Sequence, residues 1–148
     1  MSILLAATMQ RFSRRAGPIA CALIIALLPG IARMAVAGPL EDADIAYKRG
    51  DFATSLKLLL PLAKKGNARA QVEVGMHYAD GKGVARDYVQ ALKWLRLAAD
   101  QGNVQAQYNL AVMYESGRGV AQDDATAIKW YRLAANQGYA RAQSTTSV

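Results

Sequence analysis

Residues 107–142 read QYNLAVMYESGRGVAQDDATAIKWYRLAANQGYARA, and residues 71–106 read QVEVGMHYADGKGVARDYVQALKWLRLAADQGNVQA. The two stretches align without a gap at a period of 36 residues and share 17 identical positions. A repeat of this length is one supersecondary unit that cannot bury its apolar face alone and must stack on its neighbours. The identities fall where a helical hairpin needs them. They include Tyr78/Tyr114, Gly81/Gly117, Gly83/Gly119, Asp87/Asp123, Trp94/Trp130 and Gly102/Gly138.

Within residues 107–142 and the turn before them, the spacing predicts two antiparallel helices. Helix A runs from about Asn103 to Ser116, with Ala106, Leu110, Met113 and Tyr114 at the i, i+4, i+7, i+8 positions of one face. Gly117 ends it, because glycine enters the left-handed C-cap conformation without a Cβ clash. After the linker 118–122, Asp123 is placed to accept from the free amides that open helix B. Helix B carries Ala127, Ile128, Tyr131, Ala134 and Ala135 on one broad face with Trp130 beside them, and Gly138 closes it. The alanine pairs let helices approach closely, and Trp94 and Trp130 are expected to fill the core between them.

A weaker copy lies upstream. Residues 51–70 align with 87–106 and keep Asp51, Leu56, Lys57, Leu59, Ala63 and Gly66 among others. Here the helices join through Arg49-Gly50-Asp51, Pro39 and Glu41-Asp42 open a short first helix, and Pro61 is expected to kink or end the second. The expected organisation is a leader at 1–37, a degenerate tetratricopeptide-like unit at 38–70, two full units at 71–106 and 107–142, and a tail at 143–148.

The segment from Ala106 to Tyr114 with Gly117-x-Gly119-Val120 resembles the first half of a Sel-one-like repeat. Asp123, Ala127, Lys129-Trp130-Tyr131, Ala134-Ala135 and Gly138 look like its second half, and 71–106 matches equally well. The resemblance covers about residues 66–142. It implies an all-α fold, an α/α solenoid in which helix pairs wind into a right-handed superhelix, and a role as a scaffold for other proteins. A cysteine-rich branch of this family is linked to β-lactam binding and hydrolysis; these repeats have no cysteine, so that activity is not carried over.

The first 37 residues have the form of a secretory signal. Arg11, Arg14 and Arg15 precede an apolar run from Ile19 to Leu28, Pro29-Gly30 breaks it, and Ala35-Val36-Ala37 is a small-residue cleavage site. The expectation is a periplasmic or secreted protein cut near Ala37, the alternative a retained anchor. Cys21, the single cysteine, falls inside this leader, so residues 38–148 can form no disulfide. The formal charge of +7 also shrinks there: four arginines belong to the leader, and residues 38–148 carry 14 basic against 11 acidic side chains, or +3. Nucleic-acid binding loses most of its support, and membrane contact is expected only through the leader.

Few groups on offer could do chemistry. His77 is the sole histidine and stands at the position of Met113, which reads as structural. Asp123-Asp124 and Glu41-Asp42 stand at helix starts, where carboxylates favour the positive end of the macrodipole. Gly81-Lys82-Gly83 lacks phosphate-loop spacing, and no Gly-x-Ser-x-Gly elbow occurs. No catalytic residue, metal ligand or cofactor is expected. The candidate binding surface is a polar stripe on the helices A, which line the concave side of such a solenoid. It comprises Arg69 and Glu73 in one unit and Gln105 and Asn109 in the next, with Met76 and Val112 beside them. The bland alternative is a solvated face with an intrahelical Arg69–Glu73 pair.

Three functions are carried forward. The first is an exported protein–protein interaction scaffold. The second is an exported hydrolase of the β-lactam-binding kind, and the third a signal-anchored subunit of an envelope complex. The tail after Gln143 is expected to be too short to cap helix B of the last unit. That leaves an apolar edge for self-association or a larger partner, or marks a truncated reading frame.

Overall fold

The computed structural model describes residues 38–145; the expected leader and cleavage site at 1–37, with Cys21, and residues 146–148 lie outside the described residues. Among those described there are seven helices and no strand. They are α1 (Pro39–Lys48), α2 (Phe52–Lys64), α3 (Ala68–Asp80), α4 (Tyr88–Asp100), α5 (Val104–Ser116), α6 (Asp124–Asn136) and α7 (Ala140–Thr145). Each packs chiefly on its neighbours in sequence, which makes an all-helical solenoid of pairs α1/α2, α3/α4 and α5/α6.

Capping chemistry sets the helix boundaries. The B helices α2, α4 and α6 start on Asp51, Asp87 and Asp123, whose carboxylates accept from first-turn amides such as Thr54, Val89 and Thr126. The A helices α3 and α5 start on Asn67 and Asn103 in the same way. Gly81 and Gly117 end α3 and α5 in the left-handed conformation, at φ +70° and +65°. The second glycine of each linker has a different task. Gly83 lies flat on the backbone that opens α2, and Gly119 does the same on α4; a Cβ there would come within 2.5 Å of Phe52 or Tyr88 main-chain atoms.

The core forms three clusters, one around each B helix. Leu56, Leu59 and Ala63 of α2 meet Ala43 of α1 and Val74 of α3. Leu95, Ala98 and Ala99 of α4 meet Val72 of α3 with Leu110 and Met113 of α5. Ala127, Tyr131 and Ala134 of α6 meet Ala111 of α5 and Ala142 of α7. A buried polar seam ties the units together. Gln71 Nε2 donates to the Ala63 carbonyl at 3.0 Å, and Gln107 Nε2 donates to the Ala99 carbonyl at 3.4 Å. Gln101 and Gln137 then donate to the side-chain oxygens of Gln71 and Gln107, at 2.7 and 2.9 Å.

Trp94 and Trp130 pack against the core clusters as expected, Trp130 against two of them, but both stay only partly buried, and Arg96 lies over the Trp130 ring at 5.1 Å. Three expectations need correction. Ile128 points outward, 46 % exposed, because Tyr131 and Ala127 fill the inward face of α6. Pro61 does not end α2, which runs on to Lys64. The ring is exposed, so the carbonyl it leaves without an amide one turn earlier can bond water. Residues after Tyr139 do cover helix B of the last unit: α7 buries Ala142 fully against α6, and the Tyr139 ring meets Tyr108 at 5.2 Å.

Candidate functional site

The A helices and the linkers enclose two adjoining hollows on one side of the solenoid. The larger, about 580 Å³, lies between α1, α3 and the start of α5. Asp44 and Tyr47 line it from α1, Asn103 and Gln105 from the start of α5, and Arg69, Val72, Glu73, Met76, His77 and Asp80 from α3. The smaller, about 110 Å³, continues past Met76 and Asp80 to Asn109, Val112 and Arg118. The regular 36-residue stacking produces this placement, because equivalent positions on successive A helices come side by side.

The structure brings all six stripe residues to these hollows. Arg69, Glu73, Met76 and Gln105 line the larger, and Met76, Asn109 and Val112 the smaller. The amide of Asn109 donates to the Met76 sulfur at 3.5 Å, which joins the two units across the floor. The intrahelical pair exists as well: Arg69 Nε lies 2.8 Å from Glu73 Oε1. Arg69 also pairs with Asp44 of α1, so its guanidinium clamps α1 to α3. The hydrogen bonds that Arg69 donates to Glu73 and then to Asp44 raise its pKa above its ordinary value.

Sequence reading missed Asp44, Tyr47 and Asp80. The first two belong to the degenerate unit, where no repeat partner marks them. Asp44, Glu73 and Asp80 give the larger hollow three carboxylates against the single lining cation Arg69. Lys82 stands at its edge, 3.2 Å from Asp80 and over the rings of Tyr47 and Phe52 at 5.0 and 5.6 Å. It donates to the Tyr47 hydroxyl, and this bond first, then Asp80, raises its pKa.

His77 forms the back wall. Its Nδ1 lies 2.7 Å from the Lys82 carbonyl oxygen, which can only accept, so Nδ1 carries the proton. In the neutral ring Nε2 then accepts from Ser55 Oγ at 3.2 Å. This is a serine–histidine hydrogen bond, but Ser55 is 1 % exposed and His77 2 %. A substrate cannot reach that hydroxyl, and the pair serves to satisfy two buried polar groups. Among the described residues no group of three His, Cys, Asp or Glu side chains is placed to hold a metal ion. Likewise among these residues, no helix is long and apolar enough to cross a membrane.

What surrounds this groove is a pair of units whose every cap, linker glycine and alanine pair recurs, and the Sel1 repeat family matches residues 68–103 and 104–139. The chain carries two Sel1 repeats. Such repeats typically serve as protein–protein interaction scaffolds. Solved Sel1-type structures share the fold. A Sel1 repeat protein from Oxalobacter formigenes is 33 % identical, with a TM-score of 0.69, and the match covers 72 % of this chain and 44 % of that one. A protective antigen present in uropathogenic Escherichia coli strains, with an SLR fold, is 38 % identical at a TM-score of 0.68, over 72 % of this chain and 24 % of that one. This chain thus spans less than half the length of either Sel1-type structure. The Helicobacter pylori cysteine-rich protein B is 16 % identical at a TM-score of 0.60, over 71 % of this chain and 95 % of that one, a likeness of fold alone. No curated protein matches the sequence.

Proposed function

We propose that this Sel1-repeat chain is an exported, non-catalytic scaffold that holds a segment of another protein in the groove formed by α1, α3 and α5. The observation that carries this reading is the groove itself. Side chains from three successive A helices line it, its floor is apolar at Val72, Met76 and Val112, and its walls offer Asn103, Gln105 and Asn109 as hydrogen-bonding groups. An extended or helical segment needs such a mixture, with apolar anchors for affinity and a few polar contacts for register. Export is supported by the leader pattern ending at Ala35-Val36-Ala37.

A photo-crosslinking residue at Gln105 tests the reading in cell envelopes. The expected result is a discrete crosslinked protein that disappears when Glu73 and Asn109 are changed to alanine. A crosslinker at exposed Asn136, on the far end of α6, should not capture it. Equal capture from both positions, or none from Gln105, overturns the groove assignment. N-terminal sequencing of the fractionated protein tests export, with Gly38 as the expected first residue.

A further inference from the structure

The modest net charge of residues 38–148 conceals a sorting of charge between the two helix layers. The A helices α1, α3 and α5 carry six acidic side chains and only two basic ones, Lys48 and Arg69. The B helices α2, α4 and α6 show the reverse: two acidic side chains, Asp100 and Asp124, against six basic ones. Lys57, Lys93 and Lys129 stand at the same repeat position, all exposed. None of the three has a carboxylate within ion-pair distance among the described residues, whereas Arg69 and Lys82 on the groove side are both paired.

Apolar side chains accompany these cations. Val89 and Leu97 of α4 are 50 % exposed, and Ile128 and Leu133 of α6 are 46 % exposed. Leu97 and Leu133 are also repeat equivalents, each four residues beyond an unpaired lysine and so on the same strip of its helix. The Arg96 guanidinium of α4 lies over the Trp130 ring of α6 at 5.1 Å, so the two helices present their strips from neighbouring units.

We propose that the B-helix face is a second docking surface, separate from the groove, and that its partner is an anionic lipid surface. Lysines in register that form no ion pair, although Asp123 attracts Lys129 from a longer distance, are complementary to a sheet of acidic headgroups. Aliphatic side chains that protrude between them match the acyl boundary, where lysine stems can lie along the apolar layer while their ammonium groups stay in water. This adds a membrane contact to the one expected of the leader, and it holds whether or not the groove binds a peptide.

Both tryptophans of the chain, Trp94 and Trp130, belong to B helices, and the leader has none. Tryptophan fluorescence therefore reports on the B helices. The full chain is mixed with vesicles of phosphatidylglycerol carrying brominated acyl chains, and with brominated phosphatidylcholine vesicles as the neutral control. The expected result is quenching on the anionic vesicles only, weakening as salt rises. The triple variant K57E/K93E/K129E, which keeps the leader, should need at least roughly tenfold more lipid for the same quenching. L97S/L133S should lower the quenching that survives high salt. Thermal unfolding matching the parent chain shows that these surface changes leave the fold intact. The proposal is overturned if the anionic vesicles do not quench, if the triple variant is quenched as readily as the parent, or if the leucine variant is indistinguishable from it at high salt. Quenching-free vesicles together with lysine-dependent binding to poly-glutamate would replace lipid by an acidic polypeptide.

Discussion

Gly119 lies against the backbone of Tyr88 so closely that a Cβ would stand 2.5 Å from the Tyr88 carbonyl oxygen. The contact joins the linker of one unit to the start of helix B in the unit before it, and Gly83 repeats it on Phe52. Gly119→Ala and Gly83→Ala combine this clash with a φ above +70°, and each should destabilise by about 2–4 kcal/mol. Gly102→Ala has a φ of +84° and open space around the new methyl, so it should cost only about 1–2 kcal/mol. Denaturant unfolding of the three variants checks the order; equal losses would mean that the close contact contributes nothing.

The Ser55–His77 pair has an apolar counterpart one unit on, where Ala91 and Met113 stand at the equivalent positions and are both buried. His77→Met leaves the Ser55 hydroxyl and the Lys82 carbonyl without their partner, at a cost of about 2 kcal/mol. Adding Ser55→Ala should recover about 1 kcal/mol, because the double variant copies a pairing that the next unit already packs. A double-mutant cycle by chemical denaturation reads the coupling, and strict additivity would sink the equivalence.

Gln107 donates to the Ala99 carbonyl and accepts from Gln137, and it is 4 % exposed. Gln107→Ala removes both bonds from the seam between units, although the Ala99 carbonyl keeps the Gly102 amide and Gln137 keeps the Gly102 carbonyl. A loss of about 1–2 kcal/mol is expected from the two hydrogen bonds. Amide exchange should quicken in α6 and α7 first.

Trp130 is half-buried, so Trp130→Ala should cost about 2 kcal/mol, less than the ~3–5 kcal/mol of a fully buried indole. The thermal midpoint measures this. A loss at the full-burial value would place Trp130 in the core after all.

Asp51 and Asp123 are held below the usual carboxylate range, chiefly by hydrogen bonds from Thr54 and Thr126. A carboxylate whose folded pKa is depressed stabilises the fold above its unfolded pKa and loses that contribution as pH falls through the folded one. Both caps should therefore be fully effective at neutral pH and fade below about pH 4. In D51N/D123N, where the caps remain but do not titrate, the acid side of the stability profile should be flatter.

Much of this fold was legible because its units repeat. Asp123, Gly117 and Gly138 mark helix boundaries through backbone chemistry that depends on neighbours a few residues away, and the structure puts helix ends there. The six stripe residues could be placed on one side because a period fixes which faces stack. Where repetition fails, so does the reading. Asp44 reaches Arg69 from the degenerate unit, and only the fold brings them together. The glutamine seam did have a signal, since Gln71 and Gln107 recur at the period, but polar residues on a helix read as exposed until their partners are known. Trp94 and Trp130 read as core and do pack against the clusters, but the sequence does not say how much of each ring stays exposed.

Contacts that run chiefly between sequence neighbours have a kinetic consequence. Among the described residues no long-range contact closes α1 onto α7, so thermal opening within residues 38–145 should start at these outer helices and travel inward one helix at a time, like a zip. The α3/α4 pair, flanked on both sides, would be the last to open. The larger hollow is built mostly from α3, so the part of the molecule that exchanges its amides most slowly would also be the part that meets a partner.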